Sequence, residues 1–130
     1  MNTSIGEVNE DVLRTHRQEI RRGTVVLASL IALRQPGYGY ALLGTLAEHG
    51  IDVDANTLYP LLRRLEDQGL LTSEWDTQKA RPRKVYRTSE QGLVVIDVLT
   101  KDLTEINTAM TSLKAGTPDQ VQSIEGESNE

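Results

Sequence analysis

No cysteine occurs among the 130 residues, so there is no disulfide framework, no thiolate metal site and no cysteine nucleophile. Phenylalanine is also absent and tryptophan occurs once. The core must therefore be small and aliphatic, and a second chain would help complete it. The longest apolar segment, Val25–Leu33, is far too short to cross a bilayer, so no membrane partner is expected. The N-terminus, MNTSIGEVNEDV, has neither a basic region nor an apolar run; it reads as no secretion signal, and the chain as cytoplasmic. His16 and His49 are the only histidines and are not at ligand spacing. There is no glycine-rich phosphate loop and no Ser-His-Asp set, and the acids are scattered. These absences exclude the common catalytic classes. We expect no enzyme, no cofactor and no metal.

Positive charge is scarce overall, with a net charge of −5, but it is not evenly spread. Residues 1–13 carry −3, residues 14–87 carry +4, and residues 88–130 carry −6. A basic middle between acidic ends is compatible with a local phosphate-binding face. It is equally compatible with a mixed, solvated surface.

The most informative stretch is TLYPLLRRLEDQGLLTSEW, residues 57–75. Leu58, Leu61, Leu62 and Leu65 fall at i, i+3, i+4 and i+7 and make one apolar helix face. Asn56, Pro60, Arg63 and Asp67 lie on the other side, flanked by Tyr59 and Arg64. Gly69 marks a helix end. Leu71, Ser73 and Trp75 then alternate with Thr72 and Glu74 as a strand does. Asp54 is a credible N-cap. From Asp54, Pro60 falls inside the helix and forfeits the bond to the Asn56 carbonyl; a start at Thr57 spares it. Both starts stay open.

Around this stretch the punctuation predicts further elements. A helix runs from about Asp11 to Leu33, with Gly23 as a candidate break and Pro36-Gly37 as the stop. Arg14, Arg17 and Arg21 form a basic stripe on its first half: a solvated face, a DNA phosphate contact or a contact to a partner subunit. A second helix spans about Tyr38–Glu48. Strands follow at about Leu71–Asp76 and Lys84–Thr88. The loop between them holds Lys79 and Arg81, and Arg83 and Lys84 continue the run without an intervening acid. Thr88 with Gln91 fits a capping box for the last helix. There Ile96, Leu99, Leu103, Ile106, Met110 and Leu113 are spaced 3, 4, 3, 4, 3, a heptad seam. The seam serves either packing on its own domain or a second copy of the chain. From Lys114 the composition turns to Gly, Pro, Gln, Ser and Glu and reads as a disordered acidic tail.

The expected fold class is mainly α with a small β-hairpin (α+β): a winged helix-turn-helix with a C-terminal dimerisation helix. The expected organisation is a disordered N-terminus over 1–10, a DNA-binding domain over 11–88, a dimerisation helix over 89–113 and the tail over 114–130.

The block from Thr57 to Glu66, Gly69-Leu70-Leu71 and Trp75 resembles the PadR family of transcriptional regulators. Arg22-Gly23-Thr24, Gly37-Tyr38-Gly39-Tyr40, the segment Arg81–Arg87 and Gln91-Gly92 add to the likeness. Tyr38 stands where His is more usual, and Ala80 where Gly is common. The resemblance covers about Arg22 to Leu113. It implies a dimeric repressor, an inverted-repeat operator in double-stranded DNA and, in many members, a small-molecule effector.

On that reading Asn56, Thr57, Tyr59 and Arg63 face the bases. Tyr40, Arg64, Lys79, Arg81, Arg83 and Lys84 face phosphates. Ile96, Leu99, Leu103, Ile106, Met110 and Leu113 form the homodimer seam. Trp75 is expected to pack the wing strand onto the helices. The rival is a winged-helix protein-interaction module that does not bind DNA.

Overall fold

The computed structural model describes residues 7–128, with side-chain environments through residue 116. It divides into two compact units, the first ending at Ile96 and the second beginning at Asp97. The elements are α1 (Glu10–Arg22), α2 (Val25–Ala32), β1 (Gly37–Tyr38), α3 (Gly39–Glu48), α4 (Ala55–Asp67), β2 (Leu71–Asp76), β3 (Arg83–Thr88) and α5 (Glu90–Ser128).

The N-terminal helix expected over Asp11–Leu33 is interrupted at the candidate break, Gly23, and forms two helices. The carbonyl of Arg21, which Val25 would use in a continuous helix, accepts instead from the Thr24 N–H at 2.9 Å and the Thr24 hydroxyl at 2.7 Å. A local side-chain bond has outcompeted the ladder next to a glycine. Asn9 caps α1, its Oδ1 accepting from the Asp11 N–H at 2.7 Å. Of the N-terminus expected to be disordered, residues 1–6 lie outside the described residues.

The core of the first unit is leucine, as the lack of phenylalanine requires. Leu30, Leu58 and Leu62 are fully buried, with Leu42, Leu46, Leu65 and Leu71 nearly so. Burying one such side chain contributes about 1.5–3 kcal/mol. Helices α3 and α4 end alike. After α3, Gly50 has φ +80° and the Ile51 N–H reaches the Leu46 carbonyl at 2.9 Å. After α4, Gly69 has φ +81° and the Leu70 N–H reaches the Leu65 carbonyl at 2.9 Å. Both are Schellman closures, which need a left-handed residue that glycine adopts without strain.

The sheet is antiparallel and has three strands in the order β1-β3-β2, one more than the expected hairpin. Gly37 pairs with Tyr86 and Tyr38 with Val85. Two residues carry no alternation to read, so β1 is invisible to periodicity.

Thr88 is not the helix cap. It is buried, and its hydroxyl donates to the Leu30 carbonyl at 2.6 Å. Ser89 caps α5 instead, its Oγ accepting from the Gly92 N–H at 3.0 Å while donating to the Gly69 carbonyl at 2.6 Å. Helix α5 runs to Ser128, so the backbone expected to be disordered from Lys114 is helical that far. Pro118 forfeits one amide bond, and no glycine or proline stands between it and Gly126. Residues 129–130 lie outside the described residues.

Candidate nucleic-acid interface

Helix α4 begins at Ala55, which settles its register. Asp54 has extended backbone, and its Oδ1 accepts from the Thr57 N–H at 2.8 Å. Pro60 is therefore inside the helix, and the Asn56 carbonyl loses its intrahelical donor. Leu58, Leu61, Leu62 and Leu65 are buried, while Asn56, Thr57, Tyr59, Arg63 and Arg64 are all exposed. At 100° per residue, Asn56, Tyr59 and Arg63 fall on one side. Three of the four expected base-reading residues thus share one exposed surface, and Thr57 lies about 100° from Asn56 around the helix. Neither Arg63 nor Arg64 has an ion-pair partner among the described residues.

Tyr59 is only just exposed, because its ring leans on the start of α3. A Cβ at Gly39 would lie 2.8 Å from Tyr59 Cε1. Gly39 thereby supplies the space that sets how the tyrosine projects.

The wing cations do not all behave as expected. Lys79 and Arg81, at the hairpin tip, are exposed and have no ion-pair partner among the described residues. Lys84 is half-buried and tied to α4, its Nζ donating to Glu66 Oε1 at 3.1 Å. The other Glu66 oxygen accepts from the Ser73 hydroxyl. That hydrogen bond, ahead of the Lys84 contact, holds the Glu66 carboxyl below its usual range, and the bond to Glu66 raises Lys84. Lys84 thus links the wing to α4.

Arg83 is also engaged. Its guanidinium lies 4.8 Å from the Tyr38 ring centroid and 5.4 Å from that of Tyr40, and it donates to the Tyr40 hydroxyl at 2.8 Å. The two rings stack at 5.6 Å. The Tyr38 hydroxyl donates to Asp76 Oδ2, which raises the tyrosine above its usual value and lowers the aspartate. Tyr40 and Arg83 therefore reach the surface as one unit. Tyr38, Asp76, Glu66 and Ser73 escaped the sequence reading. The Tyr-Gly-Tyr spacing was the one available signal, and it named neither Arg83 nor Asp76.

Trp75 does not pack onto the helices: it is 64% exposed. It pairs across the hairpin with Lys84, whose Nζ lies 5.9 Å from the indole centroid.

The heptad residues split. Ile96 is buried in the core of the first unit and is not on an exposed seam. Leu99 is half-buried, and Leu103, Ile106, Met110 and Leu113 are exposed along α5. Among the described residues, no helix is long and apolar enough to cross a membrane.

Comparison with known proteins is consistent across sequence and structure. The profile of the PadR-like family of transcriptional regulators matches residues 26–97. The crystal structure of a PadR family transcriptional regulator from Eggerthella lenta DSM 2243 is similar with a TM-score of 0.77 and 48% identity, covering 80% of this chain and 93% of that one. A PadR-like transcription factor from Bacteroides fragilis gives 0.62 and 29%, covering 76% and 98%. The transcriptional regulator Rv3488 of Mycobacterium tuberculosis is 46% identical over 55 residues, 42% of this chain. That match spans 51%, about half, of the curated relative's length.

Proposed function

The chain belongs to the PadR-like family of transcriptional regulators, and on that premise we propose that it is a cytoplasmic, dimeric repressor that binds an inverted-repeat operator. The observation that carries this reading is helix α4. Its leucine face is sealed in the core, and its opposite face offers Asn56, Tyr59 and Arg63, with Thr57 exposed at the flank, alongside a wing whose tip bears Lys79 and Arg81.

In a helix-turn-helix the second helix lies in the major groove, and here that is α4. The Asn56 amide matches the donor and acceptor of adenine; the Arg63 fork matches guanine or a phosphate. Thr57 and Tyr59 suit thymine methyls or nearby phosphates. Arg64, Lys79 and Arg81, with the Tyr40–Arg83 unit, set register on the backbone without reading sequence. Lys84 acts behind them by holding the wing to α4 through Glu66. Leu103, Ile106 and Met110 are exposed at heptad spacing, which supports pairing of two α5 helices. A two-fold dimer places its half-sites about one helical turn, roughly 10 bp, or a multiple apart. Release by a small-molecule effector belongs to the same reading.

The test is selection of bound sequences from a random DNA pool with the purified full chain. The expected product is an inverted repeat with that spacing. Failure to enrich any sequence at low salt would favour a protein-interaction module and overturn the reading.

A further inference from the structure

None of the residues of α1 is buried, so the core does not account for this helix. Its side chains are sorted nonetheless. Arg14, Arg17 and Arg21 fall within about 60° of one another around the axis. Val12 and Ile20, both exposed, lie on a different side. Local carboxylates occupy two of the helix's arginines: Arg14 with Asp11 at 2.7 Å and Arg22 with Glu19 at 3.7 Å. Arg17 and Arg21 have no ion-pair partner among the described residues.

The basic side is exposed and borders an open cleft whose opposite wall is the turn between α3 and α4, with Asp52, Asp54 and Thr57. The cleft has four arginines against two aspartates. Asp54 is committed to capping α4, and neither aspartate reaches a guanidinium within ion-pair distance. The surplus is therefore positive. Its location is specific, because Thr57 stands at the end of α4 that enters the groove. On the DNA-binding reading, a phosphate strand bordering the groove at that end would run beside this cleft.

We propose that α1 is a phosphate-gripping arm. Arg17 and Arg21, with Arg14 beside them, contact the DNA backbone next to the N-terminal end of the reading helix. Helix α1 precedes the family-matched segment, which starts at residue 26. The inference rests on the DNA-binding reading above. It adds backbone contacts, not base discrimination.

The experiment measures operator affinity across a salt series for the full chain, for Arg17→Gln/Arg21→Gln and for Arg17→Lys/Arg21→Lys. Each lost phosphate contact should flatten the log–log salt slope by about 0.9. The glutamine variant should show that loss for each arginine in each protomer, with unchanged base preference. The lysine variant should keep the wild-type slope. Circular dichroism should be unaltered in both, since no α1 residue is buried. Wild-type affinity and slope in the glutamine variant would overturn the arm alone. So would weaker binding at an unchanged slope together with dimer dissociation in sedimentation, which would assign the stripe to a second copy. A wild type that binds no DNA would overturn the repressor reading and the arm with it.

Discussion

Lys84 and Glu66 join the wing to the reading helix, the lysine Nζ donating to Glu66 Oε1 at 3.1 Å across 18 residues of sequence. Both side chains are about 30% exposed, so solvent screens the pair. A double-mutant cycle with Lys84→Met and Glu66→Gln should give a coupling of about 1 kcal/mol or less. The folded carboxyl of Glu66 titrates below its ordinary 4.5, so this contribution is present above that pH and fades as pH falls through the lowered value. Lys84 is raised above 10.5, so its share persists below that pH and is lost only as pH rises through the raised value. Thermal unfolding should show a coupling that is constant near neutrality and shrinks below 4.5. A pH-independent coupling would refute the assignment.

Two glycines should differ in how much an added methyl costs. At Gly39 the obstacle is a side chain, the Tyr59 ring at 2.8 Å. At Gly92 it is backbone, the Leu70 carbonyl oxygen, together with Thr88 Cγ2 at 2.6 Å. Overpacking of this kind costs about 1–3 kcal/mol. Gly92→Ala should destabilise more than Gly39→Ala in chemical denaturation. Tyr59→Ala should rescue Gly39→Ala and leave Gly92→Ala as it was. Equal effects, or no rescue, would contradict the packing described.

Asn56 and Arg81 should separate reading from gripping. Asn56→Ala should lose about 1–3 kcal/mol of discrimination at one base pair per half-site. Arg81→Ala should weaken binding to all sequences alike and flatten the salt slope by about 0.9 for each protomer. Competition binding with single-base operator variants distinguishes them. If Asn56→Ala weakens every variant equally, Asn56 is not a base reader.

Exposed leucine and isoleucine on α5 should govern assembly. Leu103→Asp/Ile106→Asp should give a monomer in sedimentation while leaving the winged unit folded, because both positions are exposed and lie outside that unit. Ile96→Asp should instead unfold it, because Ile96 is 8% exposed in its core. A monomeric wild type would end the dimer reading.

What could be read in advance follows from interaction range. The leucines of α4, the Gly69 stop and the strand after it are local patterns, and each is where the periodicity places it. The gap at Gly23-Thr24 was harder, because the pattern of helix formers continues across it and one hydroxyl decides the break. Thr88 and Ser89 are adjacent hydroxyl residues. Only the Leu30 carbonyl, far away in sequence, determines which of them is left to cap α5. The same holds for the cations. Arg83 and Lys84 look like Lys79 and Arg81 in a list of charges. Distant partners, Tyr38 and Tyr40 for one and Glu66 for the other, withdraw them from the free set. Ile96 fits the heptad by spacing, yet the core of the first unit claims it.

The short strand β1 has a mechanical consequence. Because Gly37 and Tyr38 pair with Tyr86 and Val85, the middle of β3 is flanked by β1 on one side and β2 on the other, while β2 remains an edge strand. The ladder ends at Asp76 and Arg83, so the tip beyond them overhangs the sheet as the free end of a cantilever does. Lys79 and Arg81 ride on that overhang. On the proposed function, that overhang lets the two charges follow phosphates whose spacing differs between operators while α4 keeps its place.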